Sequence, residues 1–236
     1  MRASRLVFTA ILLAAALPAP ALQFDAQPPV LHILGKVQPD DWKVWEEAMQ
    51  RYEGRVDTVV FHNSPGGHSI TGRKIGEDIR KRGLATVVAG RCRSACANMF
   101  LGGKERHFSD RLADHSTVLG YHGSYNRVTK EVNRTKSGDY FIKMTDGKMS
   151  EELVERFIRI ENKNGFLYMI HPKQRSAAGS PLAFLCNGDE NTRRFESECA
   201  PVEGVDALAT GVVTSWEVVR TPKAPVAKSA PITSKN

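Results

Sequence analysis

The chain of 236 residues lacks any apolar run that could cross a bilayer as a helix, which takes roughly 20 residues. Its one long apolar run, Leu6 to Leu17, is well short of that, and no second run follows it, so no membrane span is expected after that segment. Cysteine is scarce. The four cysteines form no Cys-x-x-Cys, and no paired histidines accompany them, so the ligand spacing of a zinc site is missing and no metal is expected. Charge of one sign is also scarce: Lys+Arg 33 against Asp+Glu 26 gives +7, too mild and too scattered for a nucleic-acid footprint. Arg2 and Arg5 sit at the start, Lys223, Lys228 and Lys235 at the far end, and Arg80-Lys81-Arg82 reads as a solvated helix face. No ATP-using motif and no internal repeat are present, and no cofactor is implied.

What is present begins with an export signal. Arg2 and Arg5 precede the apolar run, and Ala19-Pro20-Ala21 is a small-residue cleavage site, so residues 1–21 are expected to be removed and the mature chain to start near Leu22. Beyond Thr221 the composition turns to Pro, Ala, Lys and Ser, which predicts a disordered tail over 221–236. The stretch 22–220 suits one soluble domain with a real core, in the periplasm or outside the cell. An oxidising compartment favours disulfides. Four cysteines allow three pairings, and sequence proximity favours Cys92 with Cys96 and Cys186 with Cys199, the second closing the polar loop Asn187 to Glu198.

Periodicity predicts a strand over Leu31–Val37, then a helix opened by Pro39-Asp40-Asp41 with Trp42, Trp45, Met49 and Tyr52 at spacings of three and four. A buried strand over Val56–Phe61 leads into a glycine turn, Asn63-Ser64-Pro65-Gly66-Gly67. A helix over about Ser69–Arg82 stops at Gly83, and a strand over Leu84–Ala89 precedes a helix that begins near Ser94 and stops at Gly102-Gly103. Thr117–Tyr121 reads as a strand ending at His122. The alternation argues for crossover units and a largely parallel sheet, an α/β fold. Tyr125–Lys148 is ambiguous. Ser150-Glu151-Glu152 opens an amphipathic helix through Leu153, Phe157 and Ile160, with a continuation towards Phe166 and Met169 open. Ala207–Gly211 reads as a short helix, and Val212–Val219 as the final strand.

Three pieces carry chemistry. Adjacent glycines let the backbone approach a bound group and aim N–H groups into a cleft, as an oxyanion hole requires, although the same residues make ordinary connections. Ser94 stands where a helix should start, so its neighbours' N–H groups would face a developing anion; serine is equally a favoured N-cap. A Cys92–Cys96 bridge would fix the loop around it. His122 follows a strand whose carboxyl end is where open α/β folds place ligands, with His68 as its rival beside the glycine turn. Together they are the parts of an acyl-transfer site.

Asn63-Ser64-Pro65-Gly66-Gly67 with Gly72, then Ser94-Ala95, His122 and Asp206-Ala207-Leu208-Ala209-Thr210-Gly211-Val212-Val213 resemble the proteolytic subunit of the Clp protease and its superfamily. Cys-x-Ser-Ala-Cys, the leader and Phe-Leu-Gly-Gly look like an exported Clp-like serine protease branch. The resemblance covers about Leu31 to Val219. It implies a ClpP/crotonase-type spiral of strand-strand-helix units, peptide-bond hydrolysis through an acyl-enzyme, peptide or protein substrates, and a homo-oligomer. It also implies Ser94 as nucleophile, His122 as general base, and the N–H groups of Gly67 and Ala95 as the oxyanion hole.

The sequence departs from that pattern in the third member. The position of the family's aspartate falls at or near Cys199, with Glu196 and Glu198 the nearest carboxylates; Glu198 is the expected substitute, and a Ser-His dyad stays open. Membrane-linked relatives use Ser-Lys pairs, and Lys136 lies at a similar distance after the serine, among polar residues that argue for a surface position. Three readings follow: a Ser-His peptidase, a non-catalytic binding or assembly module, and a Ser-Lys peptidase. An acyl-CoA enzyme on the same fold is disfavoured by export.

Overall fold

The structure, a computed structural model, describes residues 21–112, 116–126, 129, 132–133, 138–191 and 194–222. The expected leader except its last residue, the tail beyond Pro222, and Lys136 lie outside them.

Strands β1 (Gln23–Gln27) and β2 (Val30–Val37) pair antiparallel, and α1 (Asp41–Arg51) follows. Trp45 and Met49, one turn apart, are the large apolar side chains that α1 buries, and Trp45 Nε1 donates to Asp78 Oδ2 at 2.8 Å. β3 (Thr58–Gly67) buries Val59, Val60 and Phe61 in succession, as a strand covered on both faces must. Its length corrects one expectation: the glycine stretch is the end of the strand, not a turn beyond it. After a register shift between Leu34 and Lys36, pairing with β2 continues through Lys36↔Gly66 and Val37↔Gly67. Gly66, at φ 84°, adopts a backbone angle that a side chain would strain.

α2 (Ser69–Lys81) leads to β4 (Ala85–Val88), β5 (Arg91–Arg93), α3 (Ala95–Phe100), β6 (Arg106–Phe108) and β7 (Val118–Tyr121). β3 is the branch point. Its first half pairs in parallel with β4, and Ser64 near its end pairs in parallel with Cys92 of β5, which in turn pairs with β7. The helices close over this branch because α2 lacks side chains where α3 crosses: a Cβ on Gly72 would lie 2.6 Å from Ala95 O. That contact sets the start of α3 directly against α2.

The rest of the chain covers the β7 side. β8 (Ser124–Tyr125) and β9 (Val132–Asn133) form a small antiparallel pair, followed by α4 (Gly138–Met144) and α5 (Glu151–Ile158). β10 (Phe166–Met169), β11 (Ala183–Cys186), α6 (Phe195–Glu198) and β12 (Ala200–Pro201) come last, and the three strands extend the sheet antiparallel beyond β7. The outcome is a single α/β domain with a largely parallel central sheet. Disulfides join Cys92 to Cys96 and Cys186 to Cys199. Among the described residues no helix is long and apolar enough to cross a membrane.

Three further expectations are corrected. The helix from Ser150 ends at Ile158, and Phe166–Met169 is a strand because it pairs on both edges, with β7 and β11, and buries every residue. Val212–Val219 forms only a single bridge, Ser109↔Val219, and no strand. The Arg106 side chain instead takes the carbonyls of Gly211 and Val212, at 2.8 and 3.1 Å, which leaves them no strand partner to seek. Ala207–Gly211 is a series of turns, begun by Asp206 Oδ1 accepting from the N–H groups of Leu208 and Ala209 at 2.8 and 2.7 Å.

Candidate active site

β5 and β7 are parallel neighbours, with Arg93 level with Gly120. Ser94 therefore leaves the end of one strand as His122 leaves the end of the next, and both emerge where an open α/β sheet holds ligands. Ser94 Oγ lies 2.6 Å from His122 Nε2.

The serine is held in an unusual backbone conformation. At φ 55° and ψ −124° it occupies a region that costs a residue with a side chain about 1–3 kcal/mol. Three attachments hold it there. The Cys92–Cys96 bridge spans the bend with its Cα atoms 5.2 Å apart, Ser94 N donates to Gly120 O at 2.8 Å, and Asn98 N donates to Ser94 O at 3.0 Å. Gly66 packs against the bend: a Cβ there would lie 2.6 Å from Ser94 Cβ and 2.8 Å from Ala95 N. Ser94 makes no side-chain capping bond to α3, whereas Ser150 Oγ accepts from Leu153 N at 3.2 Å to cap α5. The Ser94 hydroxyl is thus turned to the imidazole instead of the helix.

His122 is packed among aromatic rings. Phe166 stacks on it at 4.3 Å between centroids, and Tyr125 lies tilted at 5.1 Å. Burial, and then the Arg93 guanidinium, hold its pKa at about 4, so the imidazole is neutral and able to accept a proton near pH 7. Its Nδ1 is buried with no hydrogen-bond partner among the described residues.

Glu198 therefore does not bond Nδ1 and is not the acid expected there. It lies exposed at the end of α6. The Cys186–Cys199 bridge, with Cα atoms 4.8 Å apart, ties that end to β11, and α6 turns Phe195 inward, with Glu196 half-buried beside it. Lys136 falls outside the described residues. His68 lines the cleft, but its Nδ1 lies 2.8 Å from Thr71 Oγ1 and caps α2. His32 and His62 pair with each other at 2.8 Å in the interior, while His107 and His171 bond the carbonyls of Glu217 and Trp216.

Ser94 and His122 open on a cleft of about 650 Å³ whose walls include Gly67, Ile70, Arg73, Tyr125 and Lys163. Of the two expected oxyanion-hole residues, Gly67 lines this cleft, and Ala95 is wholly buried as the first residue of α3. Tyr125, Arg93 and Phe166 were not expected at the site. Phe166 was legible in principle: Phe166-Leu167-Tyr168-Met169, between Gly165 and Pro172, has the aromatic enrichment and bounding residues of a strand. Cys186, Glu190 and Cys199 cluster within 4.8 Å, but both sulfurs belong to a disulfide and offer no thiolate to a metal.

No protein-family model matches the chain, and no curated protein matches it. Solved structures do. A mutant ClpP1 of Listeria monocytogenes aligns with TM-score 0.50 and 15% identity, over 82% of this chain and 92% of that chain. ClpP1 of the same organism without the mutation gives 0.47 and 14%, with the same coverages of 82% and 92%. A probable enoyl-CoA hydratase of Mycobacterium tuberculosis gives 0.44 and 10%, over 82% of this chain and 73% of that one. At such identities the likeness concerns the fold alone, and the alignment at TM-score 0.50 makes that fold ClpP-like.

Proposed function

We propose that this chain is an exported serine hydrolase that cleaves peptides or unfolded protein segments through a Ser94–His122 dyad. In this reading Ser94 Oγ attacks the carbonyl carbon while its proton passes to His122 Nε2. The tetrahedral anion is held by the amides of Gly67 and Ala95. The imidazolium then returns the proton to the leaving amine, and water repeats the sequence on the acyl-enzyme. The observation that carries the reading is the 2.6 Å contact between a hydroxyl and a neutral imidazole, made by a serine in a strained conformation and opening on a cleft. The leader and the two disulfides support export.

The same contact weighs against a non-catalytic binding module, in which serine and base have no reason to stay within hydrogen-bond reach. It also leaves a lysine base little to do, since the hydroxyl already has an acceptor. The test is to incubate the mature, oxidised protein with reduced and alkylated casein and follow the products by mass spectrometry. New peptides that disappear with Ser94→Ala are the expected result. An unaltered casein profile with a readily labelled Ser94 would overturn the peptidase half of the reading and leave an esterase or other acyl transferase.

A further inference from the structure

A histidine acting as base must keep its Nε2 lone pair aimed at the hydroxyl. In a triad an acceptor on Nδ1 does this and also stabilises the imidazolium that forms. Here Nδ1 is buried and has no partner among the described residues, yet the ring is not loosely held. We propose that Phe166 is the positioning residue for His122, backed by a column of rings that ends at the Cys186–Cys199 bridge; this rests on the Ser94–His122 reading above.

The column is continuous. Phe166 lies 4.3 Å from His122 with 29° between the planes, and Tyr168 lies 5.3 Å from Phe166, again at 29°. Phe195 stacks on Tyr168 at 4.8 Å, and Phe184 meets Phe195 edge-on at 5.6 Å. Phe166, Tyr168, Phe184 and Phe195 are 6%, 1%, 1% and 2% exposed, so none can swing aside without opening the interior. The bridge anchors both ends of this packing, since Cys186 is the register partner of Phe166 and Cys199 closes the loop that carries Phe195. Where the resemblance leads one to look for an acid, the chain has a disulfide and an aromatic ring.

The face of Phe166 does two parts of the carboxylate's work. It fixes the plane of the imidazole, and its negative π-face favours the imidazolium formed during the reaction. The Arg93 guanidinium, 5.6 Å from the same ring, draws on that face too, which tempers the second effect. The stack does not decide which ring nitrogen carries the proton, so a slower enzyme than an acid-oriented triad follows.

The test uses the mature, oxidised protein and compares Phe166→Leu with Phe166→Tyr. In a Ser94→Ala background, the Cε1–H NMR signal of His122 should lose its upfield ring-current shift and broaden in Phe166→Leu, and keep both properties in Phe166→Tyr. With Ser94 present, kcat for p-nitrophenyl acetate should fall roughly two- to thirtyfold in Phe166→Leu, the worth of one cation–π contact, at unchanged KM, and return in Phe166→Tyr. If Phe166→Leu does not fold, Phe195→Leu, two rings further along the column, should broaden the same signal. A His122 signal indifferent to Phe166→Leu, or to Phe195→Leu where that variant stands in, would overturn the proposal, as would an effect on KM alone. A wild-type protein without turnover whose His122 signal still responds would sink the hydrolase reading and leave the positioning intact.

Discussion

Arg93 and Gly120 sit opposite each other in the parallel pairing of β5 and β7, and Ser94 N donates to Gly120 O at 2.8 Å. That pair fixes the level at which both strands end, and so the 2.6 Å between Ser94 Oγ and His122 Nε2. Space there is tight: a Cβ on Gly120 would lie 3.0 Å from both Arg93 Cγ and a Tyr168 ring carbon, so either side chain would have to give way. Gly120→Val should therefore push the two strand ends apart. We expect a loss of about 1–3 kcal/mol in urea-unfolding stability from overpacking, and at least a tenfold slower reaction of Ser94 with an active-site probe. Unchanged probe kinetics would show that the register does not govern the contact.

The Cys92–Cys96 bridge closes a very short loop around Ser94, so chain entropy gives it only about 2 kcal/mol of stability. Its larger effect is local. Cys92→Ala with Cys96→Ala should leave the far-ultraviolet dichroism unchanged while probe labelling drops, because the backbone at φ 55° is free to relax. Full labelling in the double variant would mean that the hydrogen bonds to Gly120 and Asn98 suffice.

Glu198 is exposed and bonds no imidazole, so Glu198→Gln should change probe labelling by less than about twofold, within the range of ordinary surface substitutions. A hundredfold loss would restore it as the acid and contradict the aromatic column.

Burial and Arg93 hold His122 at about 4, and burial, with His32 and Arg111 adding to it, holds His62 at about 4. The acid limb of kcat/KM should consequently fall near pH 4 and not near the ordinary histidine value of about 6.5. For stability, the unfolded chain binds protons below about pH 6.5 that the folded chain refuses until about pH 4. Stability is thus fully present above that window and is lost as pH falls through it. Urea midpoints should decline over this range, and less steeply in His62→Asn. Flat midpoints would contradict the burial of both rings.

The parallel part of the fold was legible because each strand and helix there carries its own period: the buried run Val59–Phe61, the Ile70, Ile75 and Ile79 stripe of α2, of which only Ile70 proves exposed, at 67%, and Gly83 at its end. Ser94 and His122 were legible for the same reason, as residues at the ends of readable strands. What local pattern concealed was set by distant partners. Phe166–Met169 was only half concealed: its aromatics and bounding Gly165 and Pro172 point to a strand, its unbroken apolar run equally suits a helix stripe, and pairing with β7 and β11 decides it. Val212 and its neighbours had the composition of a strand, but Arg106 took the carbonyls first. The acid could not be assigned because which side chains of Phe195–Glu198 turn inward is set by packing, with Phe195 buried against Tyr168 and Glu198 exposed, and no short motif records that.

The most direct test of the account is the labelling of purified, oxidised mature protein by a fluorophosphonate probe, compared with Ser94→Ala. Covalent addition of one probe at Ser94 in the parent, and none in the variant at an unchanged unfolding midpoint, is the predicted result. Equal labelling of both proteins, or an intact parent that takes up no probe between about pH 6 and 8, where the imidazole is neutral, would contradict it.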